Sequence, residues 1–427
     1  MKSFLALALF AITIYPSFSF GQDDNSDTIL THRQCGYELC VANLEKNDPG
    51  FTERRQAIEE DMALWIKNNS DLISSGSKTV FSIPVVVHVL YNTVLQNISH
   101  ARIIEQINIL NEDFRKLNAD TTLIPFPFQH LAADIEFHFC LATRNPSGGW
   151  TNGVTRKQVT KTSYAFSEEN LIKSSSQGGQ DAWDRNKYLN IWVVNLSGGI
   201  LGYTQPPGGL AATDGVVVCY KYFGETDAVP PFNKGRTLTH EVGHWFNLLH
   251  IWGDDGGACW GNDFVDDTPN SYDHYFGCPS FPQYDACTPN FPGVMFMNYM
   301  DYVDDDCMHL FTKGQKTRML ACLNTTRSAI ISSDGCTVGI EEIPAIHTVN
   351  VFPNPTKSIC NVELYLNSYK DVQLSIYDIT GQQIMTNHYS HISDLNETVD
   401  MAGYEKGVYI VKINVGHENI TRRLILQ

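Results

Sequence analysis

The sequence predicts an α/β (α+β) unit built around one histidine-bearing helix, followed by a separate small all-β sandwich. Three observations predict it. Runs rich in Val and Ile at "FSIPVVVHVLYN" and "KYLNIWVVNL" fit strands buried on both faces, and "DGVVVCYKYFG" fits a further strand. "SHARIIEQINILNEDFRKLN" repeats Ile103, Ile107, Leu110 and Phe114 at helical spacing behind Ser99, a good N-cap. After Cys336 the texture changes to short alternating strands with Gly turns, as in "DVQLSIYDITGQQIMT" and "KGVYIVKINVGHENITRRLILQ".

The elements follow in order. "MKSFLALALFAITIYPSFSFGQDD" places Lys2 before an apolar stretch from Phe4 to Tyr15 and then Ser17, Ser19 and Gly21. That is the layout of a secretory signal peptide over residues 1–21, too short to span a membrane. Residues 22–78 read as polar and irregular, apart from a helical stretch near "FTERRQAIEEDMALWIKNN" and a linker at "SDLISSGSK". Beyond the first strand and helix, "ADIEFHFCLAT" alternates like a half-buried strand, and "GGILGYTQPPGG" is a broken segment that leads to a sheet edge. The strand–helix–strands order, closed by the histidine helix, suggests an α/β layer packed on that helix. From Ile251 to Cys307, Gly, Asp, Pro and Cys dominate, a loop region long enough to need staples. A helix returns at "FTKGQKTRMLACLNTTRSAI", with Thr312 as N-cap, and "EEIPAIHTVNVFPNPTKS" leads into the β-sandwich.

With 427 residues the chain is too long for one core. A composition 43% hydrophobic and 18% charged is globular rather than disordered. A formal charge of −17 and the lack of any Lys/Arg-rich run argue against nucleic acid or an anionic membrane as partner. No stretch beyond the signal is long and apolar enough to cross a bilayer. Eleven cysteines in a chain bound for an oxidising compartment imply disulfides, and the odd count leaves at least one free.

The chemistry concentrates in "HEVGHWFNLLH", His240 to His250. Histidines four apart share a helical face, so His240 and His244 can reach one zinc ion. Glu241 beside them can take a proton from a metal-bound water, which makes H-E-x-x-H a motif with a mechanism. In a continuing helix His250 would lie roughly 80° around and 15 Å along from His240, out of reach of the same ion. The chain must turn near Asn247, and asparagine is the best substitute for glycine in the left-handed region. A continuing helix with two hydrogen-bonded histidines is the plain alternative.

This elongated motif, followed by Met300 in "NYMDY", resembles the metzincin metallopeptidases. "HEVGHWFNLLHIWGDD", "DDTP" and "NYMDYVDDDCMHLFTKGQKTRM" together resemble the pappalysin family, particularly its ulilysin-like or cytophagalysin branch, over about residues 80–335. The resemblance implies a metzincin-type domain at 79–337, with a twisted mixed sheet, an active-site helix and a loop-rich C-terminal subdomain. It implies a secreted zinc endopeptidase acting on protein or peptide substrates. His240, His244 and His250 would hold zinc, Glu241 would act as general base and acid, Tyr302 would stabilise the oxyanion, and Met300 would form the floor below the metal. Two departures stand out. Asn247 replaces the commoner glycine. In members preferring basic residues an acidic residue follows the cysteine equivalent to Cys307; here Met308 stands there, which argues against a Lys or Arg preference, although Asp304–Asp306 keep the neighbourhood acidic.

"NDFVDDTP" clusters oxygens of Asp263, Asp266, Asp267 and Thr268, suited to calcium, with a solvated acidic turn as the alternative; the resemblance favours calcium held by Asp263, the Val265 carbonyl and Thr268. Spacing cannot choose among the pairings of Cys259, Cys278, Cys287 and Cys307; the resemblance implies Cys259–Cys287 and Cys278–Cys307. Residues 22–78 then read as a prosegment that keeps a zymogen latent. Cys35 either fills the open zinc position as a cysteine switch or pairs with Cys40. Cleavage after Arg54, Arg55 or Lys78 would end latency. "VFPNPTKS", "YDITGQ" and "KGVYIVKI" make residues 338–427 similar to a type IX secretion sorting domain, so the export machinery becomes a partner; an unrelated sandwich that binds carbohydrate or protein is the alternative. For the whole chain, a non-catalytic adhesin that keeps the metzincin fold and a zinc hydrolase of non-peptide amides are the competing functions.

Overall fold

A computed structural model describes residues 30, 32–70, 79–254, 256–336, 346–416 and 418–427. The expected signal peptide, the candidate cleavage point at Lys78 and most of the linker after Cys336 lie outside the described residues.

Two helices open the described chain: α1, Tyr37–Asn47, and α2, Phe51–Asn68. The first departs from the irregular segment that the sequence suggested. It starts behind Gly36 without a side-chain cap, and it buries Tyr37, Cys40 and Leu44. Tertiary contact therefore makes this helix, not a local signal. Strand β1, Phe81–Tyr91, is buried from Ile83 to Leu90, as a central strand covered on both faces must be. Helix α3, His100–Phe114, begins where Ser99 accepts the Arg102 N–H at 3.1 Å.

Strands β2 (Phe137–Leu141), β3 (Val154–Gln158), β4 (Leu189–Val194), β5 (Gly202–Thr204) and β6 (Val216–Cys219) complete the first sheet. Its order is β2-β1-β4-β6-β5, with β3 continuing the β2 side of β1. Every pairing is parallel except that of β5, the antiparallel edge. The sheet is thus mixed. Val85, Val87, Ile191 and Val218 pack with Ile107 and Leu110 of α3 and with Leu238 and Val242 of α4, Arg236–Trp245, which carries the first two site histidines. Helix α5, Lys313–Asn324, starts in a capping box made by Thr312 and Gln315.

The loop-rich stretch between α4 and α5 is stapled by Cys259–Cys287 and Cys278–Cys307. A third bridge, Cys140–Cys336, ties the end of β2 to the end of this unit across 196 positions. Cys35 and Cys40 are both free, so the bridge between them that the sequence left open is absent.

The C-terminal part is all-antiparallel: β7 (Ile346–Phe352), β8 (Ile359–Asp378), β9 (Gln383–Asp400), β10 (Gly407–Val415) and β11 (Glu418–Leu426). The first half of β8 pairs with β7 and its second half with β10, with register shifts between them. The strand passes from one side to the other at that irregularity and closes a single core around Val362, Leu374, Val411 and Leu424.

Candidate active site

Helix α4 ends where the motif demands. Asn247 has φ +67°, in the left-handed region. The Asn247 N–H donates to His244 O at 2.8 Å and the Leu248 N–H to Gly243 O at 3.0 Å. Those are the two bonds of a Schellman stop, with asparagine in the place of glycine. The turn sends the chain back so that His250 faces the first two histidines.

The three imidazoles converge. His244 Nε2 lies 3.1 Å from His240 Nε2 and 3.1 Å from His250 Nε2. A tetrahedral ion with bonds of 2.0–2.1 Å holds its ligand atoms roughly 3.3 Å apart, so the spacing fits one metal. Each Nδ1 meets an acceptor: the Tyr299 carbonyl at 2.7 Å, the Leu248 carbonyl at 2.9 Å and the Asp254 carboxylate at 2.7 Å. A carbonyl can only accept, so Nδ1 of His240 and of His244 carries the proton and Nε2 presents a lone pair. All three rings are buried. Burial, and then the neighbouring His250, push His240 and His244 well below the ordinary histidine range. At His250 burial is outweighed by Asp254, which raises that ring, so the third ring is the one that most readily takes a proton when no cation is bound.

Glu241 is also buried, and burial raises its carboxyl to about 7. The Thr204 hydroxyl of edge strand β5 lies 2.8 Å from both Glu241 Oε2 and the Glu241 carbonyl, and so holds this residue from that edge. A Cβ added at Gly202 would come within 3.0 Å of the Val217 carbonyl and 3.1 Å of Glu241 Cγ, so glycine lets β5 approach the motif helix closely. Thr204 was not singled out in the sequence; its only signal is its place on an edge strand beside the motif helix. A Cβ on Gly243 would stand 2.5 Å from the Met300 sulphur, so Met300 packs directly beneath the helix. The Tyr302 ring lies 5.0 Å from His250 and 5.8 Å from His240, and burial keeps its hydroxyl protonated.

The N-terminal segment covers this centre. Cys35 Sγ joins the three histidines in one potential ligand group. Burial, and then Glu241, push the thiol well above its ordinary value, so only a cation would make it a thiolate. Gly36 N–H bonds to Gly202 O at 2.8 Å, adding the segment to the β5 edge. The Tyr37 ring stacks on His244 at 3.9 Å.

Two residues before Cys35, Arg33 is buried against Asp305, the Val303 carbonyl and the Thr237 hydroxyl, with its guanidinium over the Phe232 ring. Asp305 Oδ2 accepts the N–H of Lys234 at 2.8 Å and of Arg236 at 3.3 Å, so it also holds the start of α4. The buried acidic group therefore stands three positions before Cys307's neighbour Met308.

In the acidic loop, Thr268 Oγ1 lies 2.7 Å from Asp263 Oδ2 and 2.8 Å from Val265 O. The Thr268 hydroxyl thus links the Asp263 carboxylate and the Val265 carbonyl within one buried turn. Burial raises Asp263 to about 7. Asp266 is exposed, and Asp267 instead accepts the Gly314 N–H at 2.9 Å near the start of α5.

Comparison with known proteins agrees with this geometry. Residues 173–324 match the peptidase family described as pregnancy-associated plasma protein-A, and residues 350–427 match a secretion system C-terminal sorting domain. An extracellular metalloprotease of Sordaria macrospora is 31% identical over 222 residues, 46% of this chain and 75% of that protein. Among solved structures, a mutant promirolysin of Tannerella forsythia is 47% identical with TM-score 0.62, covering 70% of this chain and 97% of that one. Mature mirolysin of the same organism, in complex with a cleaved peptide, is 51% identical with TM-score 0.58, covering 60% and 96%. Fold and site thus define a metallopeptidase that is secreted or displayed at the cell surface. The chain belongs to the pappalysin family of these enzymes. No helix among the described residues is long and apolar enough to cross a membrane.

Proposed function

We propose that the chain is a zinc endopeptidase made as a latent zymogen, with zinc on His240, His244 and His250, and that it cleaves beside Arg or Lys. The convergence of three Nε2 atoms, each ring fixed through Nδ1, carries the metal assignment. When bound, zinc supplies a Lewis acid and acidifies a ligated water. Glu241, held by Thr204 and raised toward neutrality by burial, takes the proton of the attacking water and returns it to the leaving amine. The protonated Tyr302 hydroxyl donates to the developing oxyanion. Edge β5 receives the substrate backbone as an added strand, the role that Gly36 now plays.

The Arg33–Asp305 pairing supports the basic preference: the segment that covers the site puts an arginine into the recess where Asp305 waits. Cys35 is the group that would block the metal in the latent chain. Asp263, the Val265 carbonyl and Thr268 would hold a structural calcium. Arg54 and Arg55 lie inside α2, which favours a cleavage point between α2 and β1 over either arginine.

The test is digestion of a proteome-derived peptide library by the activated protein, with and without a zinc chelator. Cleavage beside Arg and Lys that the chelator abolishes is the expected result. No cleavage, or cleavage indifferent to the chelator, would sink the proposal.

A further inference from the structure

A glycine at position 247 would make the left-handed turn at lower cost, so the asparagine side chain asks for a second explanation. Asn247 is wholly buried, and its amide is spoken for at both ends. Oδ1 accepts from Arg55 Nη1 at 2.7 Å, and Nδ2 donates to Glu59 Oε1 at 2.8 Å. Both partners come from α2. The Asn247 carbonyl accepts Arg318 Nε at 2.8 Å, and the Arg318 fork closes on the two Glu59 oxygens at 2.8 and 2.7 Å. Below this network Met62 of α2 packs on Ala321 and Cys322 of α5. None of these contacts involves a metal ligand atom or Cys35.

We propose that Asn247 is a docking point by which the catalytic unit recognises its own N-terminal segment, through Arg55 and Glu59, giving helix α2 an anchor of its own that needs no metal. The first anchor is the stretch around Cys35, where the thiol meets the histidines and Arg33 pairs with Asp305. The second grips the turn that brings His250 into the site, from the opposite end of the segment. A glycine there would serve the turn, leaving Glu59 with Arg318 and Arg55 with the Tyr37 hydroxyl. The functional meaning rests on the reading of this segment as inhibitory, but the docking itself does not.

Hydrogen exchange on the intact chain in excess chelator, paired with peptide hydrolysis on the metal-loaded samples, tests it. With the metal removed, wild-type amides of residues 51–68 should stay protected. Glu59→Ala should speed their exchange about tenfold, the expected scale for a charge-assisted bond. Arg55→Ala and Asn247→Gly should each do the same more weakly. Glu59→Ala combined with Asn247→Gly should cost less than the sum of the two, because they share one bond. Loss of α2 protection on metal removal alone overturns the proposal, and so does full additivity of the two substitutions. Hydrolysis separates the two readings: a Cys35→Ala chain that is fully active while α2 stays protected leaves the docking standing and removes the inhibitory role.

Discussion

Arg33 and Asp305 form a buried ion pair between the covering segment and the loop that precedes α5. Under the proposed basic preference, Arg33, two residues from Cys35, stands where a substrate arginine would bind. Asp305→Asn keeps the shape and one acceptor at the start of α4 but removes the charge. Activity on Arg- and Lys-containing peptides should fall by at least about tenfold, while neutral peptides change little. A uniform loss on both classes would mark Asp305 as structural only.

Gly243→Ala sets two known effects against each other. Alanine in a helix gains about 1 kcal/mol over glycine. The new Cβ would stand 2.5 Å from the Met300 sulphur in a closed core, and overpacking of that kind costs about 1–3 kcal/mol. The clash should win, with the melting temperature falling by a few degrees. Combined with Met300→Ala, the loss should be smaller than the sum of the two single losses, since the clash and the cavity share one space. A Gly243→Ala protein more stable than wild type would show that Met300 does not sit beneath the helix.

Much of this site was legible because the motif carries its own geometry. Histidines at 240, 244 and 250 could share an ion only if residue 247 turned left-handed, and asparagine permitted it. Strand β1 and helices α3 and α5 were legible from apolar runs, periodicity and caps. Helix α1 was not, since it has no cap and forms by packing Tyr37 and Cys40. The short strand β3, with no fully buried residue, left no pattern either. Thr204 and Arg33 act across long sequence separations, as does Cys140–Cys336, and no local signal encodes such pairs.

The pH dependence of α2 docking follows from Glu59. Burial alone would raise this carboxyl, but the bonds and charge of Arg318, with Asn247 and Arg55, outweigh it and leave the group below its ordinary value. A folded-state pKa below the unfolded one gives stability that is present above the ordinary carboxylate range and is lost as pH falls through the folded value. Protection of residues 51–68 should therefore hold from neutral pH to about 5 and decline below about pH 4. Exchange of α2 that, corrected for intrinsic rates, is unchanged down to pH 3 would contradict the ion pair.

Thr204→Val tests the edge-strand support of the base. It removes the hydroxyl that fixes Glu241 Oε2 without touching a histidine. Metal content should be unchanged and turnover should fall by about tenfold, the scale of one positioned hydrogen bond. Loss of metal along with turnover would mean that the edge strand builds the metal site itself.

The most direct measurement pairs metal content with hydrolysis in the Glu241→Ala protein after removal of the N-terminal segment. One zinc per chain is expected, as in wild type, with peptide turnover reduced by at least about a thousandfold, since base and proton carrier are lost together. Substantial residual turnover with zinc in place would contradict it, because some other group would then be moving the proton.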